Sequence, residues 1–210
     1  WGAQSEDQLQ PTTYLKSDGI AAVRKSSTTN EIVYSNDLTK SPWNINGTTA
    51  YGQTGYEGNN NAWLLTKSGA SNSDYYNTAF TGVYTFSFYV KKEANKGVKI
   101  YNFGDSTQST TINIENGTHI GGANTVNIEN VTNDWLRVSL TLTVSNGKFY
   151  IYVTNGSGTQ IQSSIIVQYF QVEQQTQVET YAPTTGLPVT IDLFTENNYG
   201  TMTNMSASDI

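Results

Sequence analysis

Several stretches of the chain alternate apolar and polar side chains with the two-residue period of a β-strand. In Val83-Tyr-Thr-Phe-Ser-Phe-Tyr-Val90, Tyr84, Phe86, Phe88 and Val90 share one face, and Thr85, Ser87 and Tyr89 share the other. That pattern predicts a strand with one buried and one wetter face. Leu136 to Val144 repeats it, with Val138, Leu140, Leu142 and Val144 set against Ser139, Thr141 and Thr143. Ser145-Asn-Gly147 then reads as a hairpin turn into Lys148 to Val153. There Phe149, Ile151 and Val153 should face the core, and Tyr150 and Tyr152 the outside. Weaker strands are expected at Ala62 to Thr66, Val98 to Phe103, Thr110 to Ile114 and Val126 to Glu129. Asn155-Gly-Ser-Gly158 reads as a last hairpin into a closing strand, Ile165 to Glu173. About ten strands and no helix predict an all-β chain folded as an antiparallel β-sandwich.

The closing strand and its exit loop have a counterpart at the start of the chain. At a constant offset of 167 residues, Gln4, Glu6, Gln8, Gln10, Thr13, Tyr14 and Gly19 match Gln171, Glu173, Gln175, Gln177, Thr180, Tyr181 and Gly186. An internal repeat sets domain boundaries. Residues 1–20 are therefore expected to be the closing strand of a preceding, similar domain, and 21–29 a linker. Residues 30–186 would be one complete sandwich, and 187–210 an extension or the start of a next unit. Gln171, Glu173, Thr180 and Tyr181 are expected to close the sandwich and shape its exit loop. The chain reads as a piece of a longer polypeptide.

Composition narrows the function classes. Charged residues make up only 13% of the 210 and the net charge is −6. An acidic surface argues against a nucleic-acid partner. No apolar run is long enough for a membrane-spanning helix. There are no cysteines, hence no disulfides or thiolate metal sites. The single histidine, His119, lies in the expected loop Asn116 to Gly122 without a partner. The Asn-x-Ser/Thr triplets at Asn46, Asn116, Asn130, Asn155 and Asn204 are mostly explained by turn chemistry.

Four segments in order, NEIVYSNDLTKSPW (30–43), YTFSFYVKK (84–92), DWLRVSLTLTV (134–144) and VQYFQVEQQTQVETYAPTTG (167–186), resemble a family of jelly-roll, carbohydrate-binding-module-like domains of tailed-phage tail and fibre proteins. Trp1-Gly-Ala-Gln4 resembles the family's closing motif more closely than Gln168-Tyr-Phe-Gln171 does, and Leu38 stands where the family has an aromatic. The resemblance implies a jelly-roll β-sandwich on a virion, displaying glycan-binding or structural surfaces and no catalysis. It also implies Trp43 and Trp135 as core residues. A structural calcium ion (Ca2+) held by oxygen ligands is compatible with it, but no spacing places one. Otherwise no cofactor or metal is expected.

The candidate chemistry is binding. No pair among Glu57, Asp74, Asp105, Glu115, Glu129, Asp134 and Glu173 is set apart by spacing as a glycosidase pair would be. There is no nucleophile-elbow motif. Sugar rings stack on aromatic side chains while amides and carboxylates bond their hydroxyls. Tyr51, Tyr56, Tyr75 and Tyr76 lie in Gly/Asn/Ser-rich segments, Trp63 follows Asn59-Asn-Asn61, and Tyr89 and Tyr152 fall on the wetter faces of their strands. These seven are the candidate carbohydrate-binding residues, each with an ordinary packing role as its alternative. The expected partners are a surface glycan or polysaccharide and other virion chains, with homo-oligomers compatible. The competing readings are a purely structural virion module and an accessory module of a secreted bacterial polysaccharide-degrading enzyme.

Overall fold

The alternating stretches form the strands they predict, but many of their pairings join segments far apart in sequence. The computed structural model describes residues 27–192, apart from 72 and 123–124. The repeat copy at 1–20, most of the linker at 21–29 and residues 193–210 lie outside the described residues. Thr29–Val189 form one compact unit.

Two six-stranded antiparallel sheets make up the sandwich. The first contains β3 (Gly47–Gln53), β4 (Ala62–Lys67), β6 (Phe80–Lys91), β10 (Thr125–Asn130), β11 (Trp135–Gly147) and β13 (Ser164–Glu173), in the order β10-β11-β6-β13-β4-β3. The second contains β2 (Trp43–Asn44), β5 (Asp74–Tyr76), β7 (Gly97–Asn102), β8 (Thr110–Asn113), β9 (Thr118–Gly121) and β12 (Phe149–Thr154), in the order β2-β5-β12-β7-β8-β9. Two further strands, β1 (Ser27–Asn30) and β14 (Val189–Asp192), pair with each other. The described unit is thus all-β, an antiparallel jelly-roll sandwich in which the chain crosses repeatedly from one sheet to the other. The count exceeds the expected ten because short polar strands such as β3 and β9 carry no apolar alternation. His119 lies on β9, exposed, rather than in a loop.

The core is built from the predicted inward faces. Phe86, Phe88, Leu140, Leu142, Phe170 and Val172 of the first sheet meet Phe149, Ile151, Val153, Val98 and Ile100 of the second. Phe86 stacks on Phe149 across the sheets with centroids 4.9 Å apart. Each such side chain, once buried, contributes about 1.5–3 kcal/mol. Lys67 of β4 and Asp74 of β5, both fully buried, form an ion pair between the sheets. Burial pushes the Lys67 ammonium below its ordinary value, against the pull of Asp74.

Two expectations are corrected. Ser145 to Gly147 is not a hairpin turn: β11 pairs with β6, whereas β12 pairs with β7 and β5, so the chain crosses between sheets there. Asn155 to Gly158 does form a hairpin turn, closed by an antiparallel bridge between Thr154 and Gln160 and a 2.9 Å bond from Asn155 N to Thr159 O, with Asn155 Oδ1 accepting from the Ser157 and Thr159 amides. Beyond that bridge the chain passes to the other sheet, where β13 pairs with β4 and β6. The polar face of β6 and β11 is also largely not wet, although Thr143 at its end is exposed. Thr85, Ser87, Tyr89, Ser139 and Thr141 are all buried. Residues 174–184 hydrogen-bond onto that face: Thr85 Oγ1 donates to Gln175 O at 2.7 Å, Thr141 Oγ1 to Thr176 O at 3.2 Å, and Arg137 Nη2 to Glu179 O. Gln171 binds the same segment from both ends of its amide, accepting from Ala182 N at 2.8 Å and donating to the Glu179 and Thr180 carbonyls.

The start of the unit locks this segment in place. Asn30, fully buried, donates to Ala182 O at 2.8 Å and accepts from Ile32 N and Val172 N. Ser35 Oγ accepts from Thr184 N at 2.9 Å and shares a 2.6 Å hydrogen bond with Tyr181 OH. Residues 30–36 therefore bind both the closing strand and its exit segment.

Candidate functional site

The site begins as a row of side chains across the outer face of the first sheet. In register from β10 to β13 stand Glu129, Arg137, Tyr89 and Gln168. Tyr89 is 7% exposed because other aromatics cover it. Tyr56 stacks on it face to face, centroids 4.4 Å apart and rings 8° from parallel. Arg137 sets its guanidinium 5.5 Å from the Tyr89 centroid, a cation–π distance. Tyr169 meets both Tyr56 and Tyr89 edge-on and stacks on Tyr181 at 4.3 Å.

A bulge in β13 places Tyr169 there. The pairing of β13 with β6 shifts register between Gln168 and Gln171, and Tyr169 has φ +54°. An extra residue in one strand re-aims the side chain at the bulge. Without it, Tyr169 would fall on the same side as Val167, in the core. A non-glycine residue in the left-handed region costs about 1–2 kcal/mol.

A polar network orients these rings. Glu57 accepts from both phenols, Tyr56 OH to Oε1 at 3.1 Å and Tyr169 OH to Oε2 at 3.0 Å. Asn61 Nδ2 donates to Tyr169 OH at 2.7 Å, and Gln168 Nε2 donates to Asn61 Oδ1 at 2.6 Å. Gln168 Oε1 accepts from Tyr56 N, and Asn36 Oδ1 from Tyr169 N, both at 3.2 Å. Gly55 is needed for this approach, since a Cβ there would lie 2.5 Å from both Asn61 Oδ1 and Gln168 Oε1. Burial raises the phenol pKa values of Tyr56, Tyr169 and Tyr181 above the ordinary tyrosine value, and Glu57 adds to the effect at the first two.

Together these residues line a groove of about 670 Å³, completed by Tyr34, Asp37, Tyr51, Thr180 and the segment Pro183–Thr185. The volume suits a small-molecule or oligosaccharide ligand, for which sites run about 300–1,000 Å³. Among the described residues no three His, Cys, Asp or Glu side chains cluster as a metal donor set.

Of the seven candidates, the groove brings together Tyr51, Tyr56 and Tyr89. Trp63 stands behind Tyr51, 4.9 Å from its ring, with its indole N–H bonded to Asn36 O. Tyr76 is corrected: it is 1% exposed, packed against Trp43 in the core, its hydroxyl accepting from Val33 N. A surface ligand cannot reach it. Tyr75 and Tyr152 lie on the second sheet with Tyr101 and Tyr150, away from the groove. Trp43 is in the main core as expected, but Trp135 packs with Tyr89 in a smaller cluster on the outer face. Sequence reasoning missed Tyr34, Arg137 and Tyr169 and gave Tyr181 only a structural role. A usable signal existed for Tyr169: Gln168 and Gln171 are three apart and cannot share a face in an unbroken strand.

No family model matches the chain, and no curated protein is significantly similar to it.

Proposed function

We propose that Thr29–Val189 is a non-catalytic carbohydrate-binding module whose groove takes a surface glycan, within a phage tail or fibre protein. The observation that carries the reading is the groove itself. Tyr34, Tyr51, Tyr56, Tyr89, Tyr169 and Tyr181 converge on it, and a network of Glu57, Asn61 and Gln168 holds two of them, Tyr56 and Tyr169, in fixed orientation. Aromatic rings with few, well-placed polar groups are what sugar recognition requires. Pre-orientation lowers the entropy lost on binding. The virion setting is supported by the four ordered motifs alone.

A glycan-array screen of the full chain tests the reading, followed by calorimetry on any hit. Replacing Tyr56 by Ala should weaken binding about tenfold, the upper end of one aromatic contact. Failure of every glycan to bind would sink it.

The purely structural reading draws on the opposite sheet. Tyr75, Tyr150 and Tyr101 stand in register across β5, β12 and β7, beside Phe103, which is 61% exposed. Such a surface suits contact with another virion chain. Under that reading Phe103 becomes buried in the assembled particle.

A further inference from the structure

We infer that Arg137 makes the groove selective for acidic glycans, by receiving a ring carboxylate at the β11 end. The inference rests on reading the groove as a glycan site. Arg137 is half-buried and lines the groove. Its Nη2 is spent on the Glu179 carbonyl, and its Nε is buried with no acceptor. Nη1 is thus the donor left for a ligand oxygen. Glu129 stands opposite in register on β10 but is exposed and forms no ion pair with it. A guanidinium partly removed from water without a carboxylate is costly, and a ligand carboxylate at Nη1 supplies the missing counter-charge.

The groove is polarised. Arg137 sits on β11. The carboxylate of Glu57 lies on the other side of Tyr89, bonded to Tyr169 of β13. β11 and β13 flank β6, so two strand spacings, about 9.6 Å, separate their axes. Both Glu57 oxygens already accept from phenols, which suits them to orienting rings and meeting ligand hydroxyls rather than to neutralising Arg137. A sugar stacked among these tyrosines would direct its ring carboxylate to β11 and its hydroxyls to the Glu57 end. In uronic and sialic acids the carboxylate is carried on the ring itself, so ring stacking and ion pairing act on one residue.

The test is an array of uronic- and sialic-acid oligosaccharides printed beside the same glycans with their carboxylates converted to amides. The full chain should bind the acidic member of a pair about tenfold to a hundredfold more tightly, the size of a charge-assisted hydrogen bond. Arg137→Met should erase that preference, bringing the ratio of the two affinities to about one whatever the absolute affinity becomes. Arg137→Lys, which keeps the charge without the planar fork, should retain part of it and guards against a folding defect. Equal binding of both members by the native chain would overturn the inference while leaving the groove as a glycan site. Binding of neither member, together with silence on neutral glycans, would overturn both.

Discussion

Tyr169 offers the sharpest test of how the site is built, because its backbone and its side chain can be separated by two substitutions. Both Tyr169→Ala and Tyr169→Gly remove the ring. Both lose the stack on Tyr181, about 0.5–1.5 kcal/mol. Both lose the hydrogen bonds to Asn61 and Glu57, about 1 kcal/mol each. Alanine keeps the left-handed backbone cost, whereas glycine relieves about 1–2 kcal/mol of it. Glycine in turn gives up about 0.4–1 kcal/mol through the greater freedom of its unfolded chain. The difference leaves the glycine variant more stable by on the order of 0.8 kcal/mol. For a unit of this size that is about 2 °C in melting temperature. Calorimetric melts, with urea denaturation as a check that the m value is unchanged, would resolve it. Glycan affinity should fall equally in both variants. An alanine variant more stable than the glycine variant by about 0.4–1 kcal/mol would show that the bulge is not strained, and that Tyr169 reaches the groove at no backbone cost.

Lys67→Met alone should destabilise by about 3–5 kcal/mol by stranding the Asp74 carboxylate between the sheets; a loss below about 1 kcal/mol in urea denaturation would contradict that. Deleting residues 165–173 should abolish cooperative folding, because β13 lies between β4 and β6 and its removal unpairs both. A cooperative melt of the deleted chain would refute this. The groove phenols of Tyr56, Tyr169 and Tyr181 have folded-state pKa values raised above the unfolded value near 10, so their contribution to stability is complete below pH 10 and lost as pH rises beyond it. Absorbance titration at the phenolate band should therefore show these residues ionising late and together with unfolding, and early ionisation in the folded protein would be inconsistent.

The strands with strict alternation were legible in the residues. Phe86 and Phe88, Leu140 and Leu142, and Phe149 and Ile151 face inward as their period requires. Strand partners were not, because a turn signal is local. Asn146-Gly147 and Asn155-Gly156 specify a change of direction but not the sheet to which the chain goes next. The outer face was misread for a related reason. Thr85, Thr141 and Gln171 look solvent-facing by polarity, yet each holds a carbonyl or amide of the segment that follows β13. Site residues split along the same line. Tyr56 and Tyr89 could be picked out by their flanking Gly and Asn residues or their strand face. Tyr169 depended on a register shift, and Arg137 on the loss of its solvent, neither of which shows in a period of two.

The binding of Ser35 to Tyr181 and Thr184, across a sequence separation of 146 and 149 residues, has a consequence for the order of events during synthesis. One wall of the groove is made early and the other last. A ribosome must release the chain through Thr185 before the groove is complete, and a polypeptide stopped at Glu173 would contain β13 without Tyr181 or the Glu179 anchor for Arg137. The complete groove is thus withheld from every chain that stops short of Thr185. Long-range closure of this kind is slow, and any ligand of the completed groove would stabilise the whole unit by mass action.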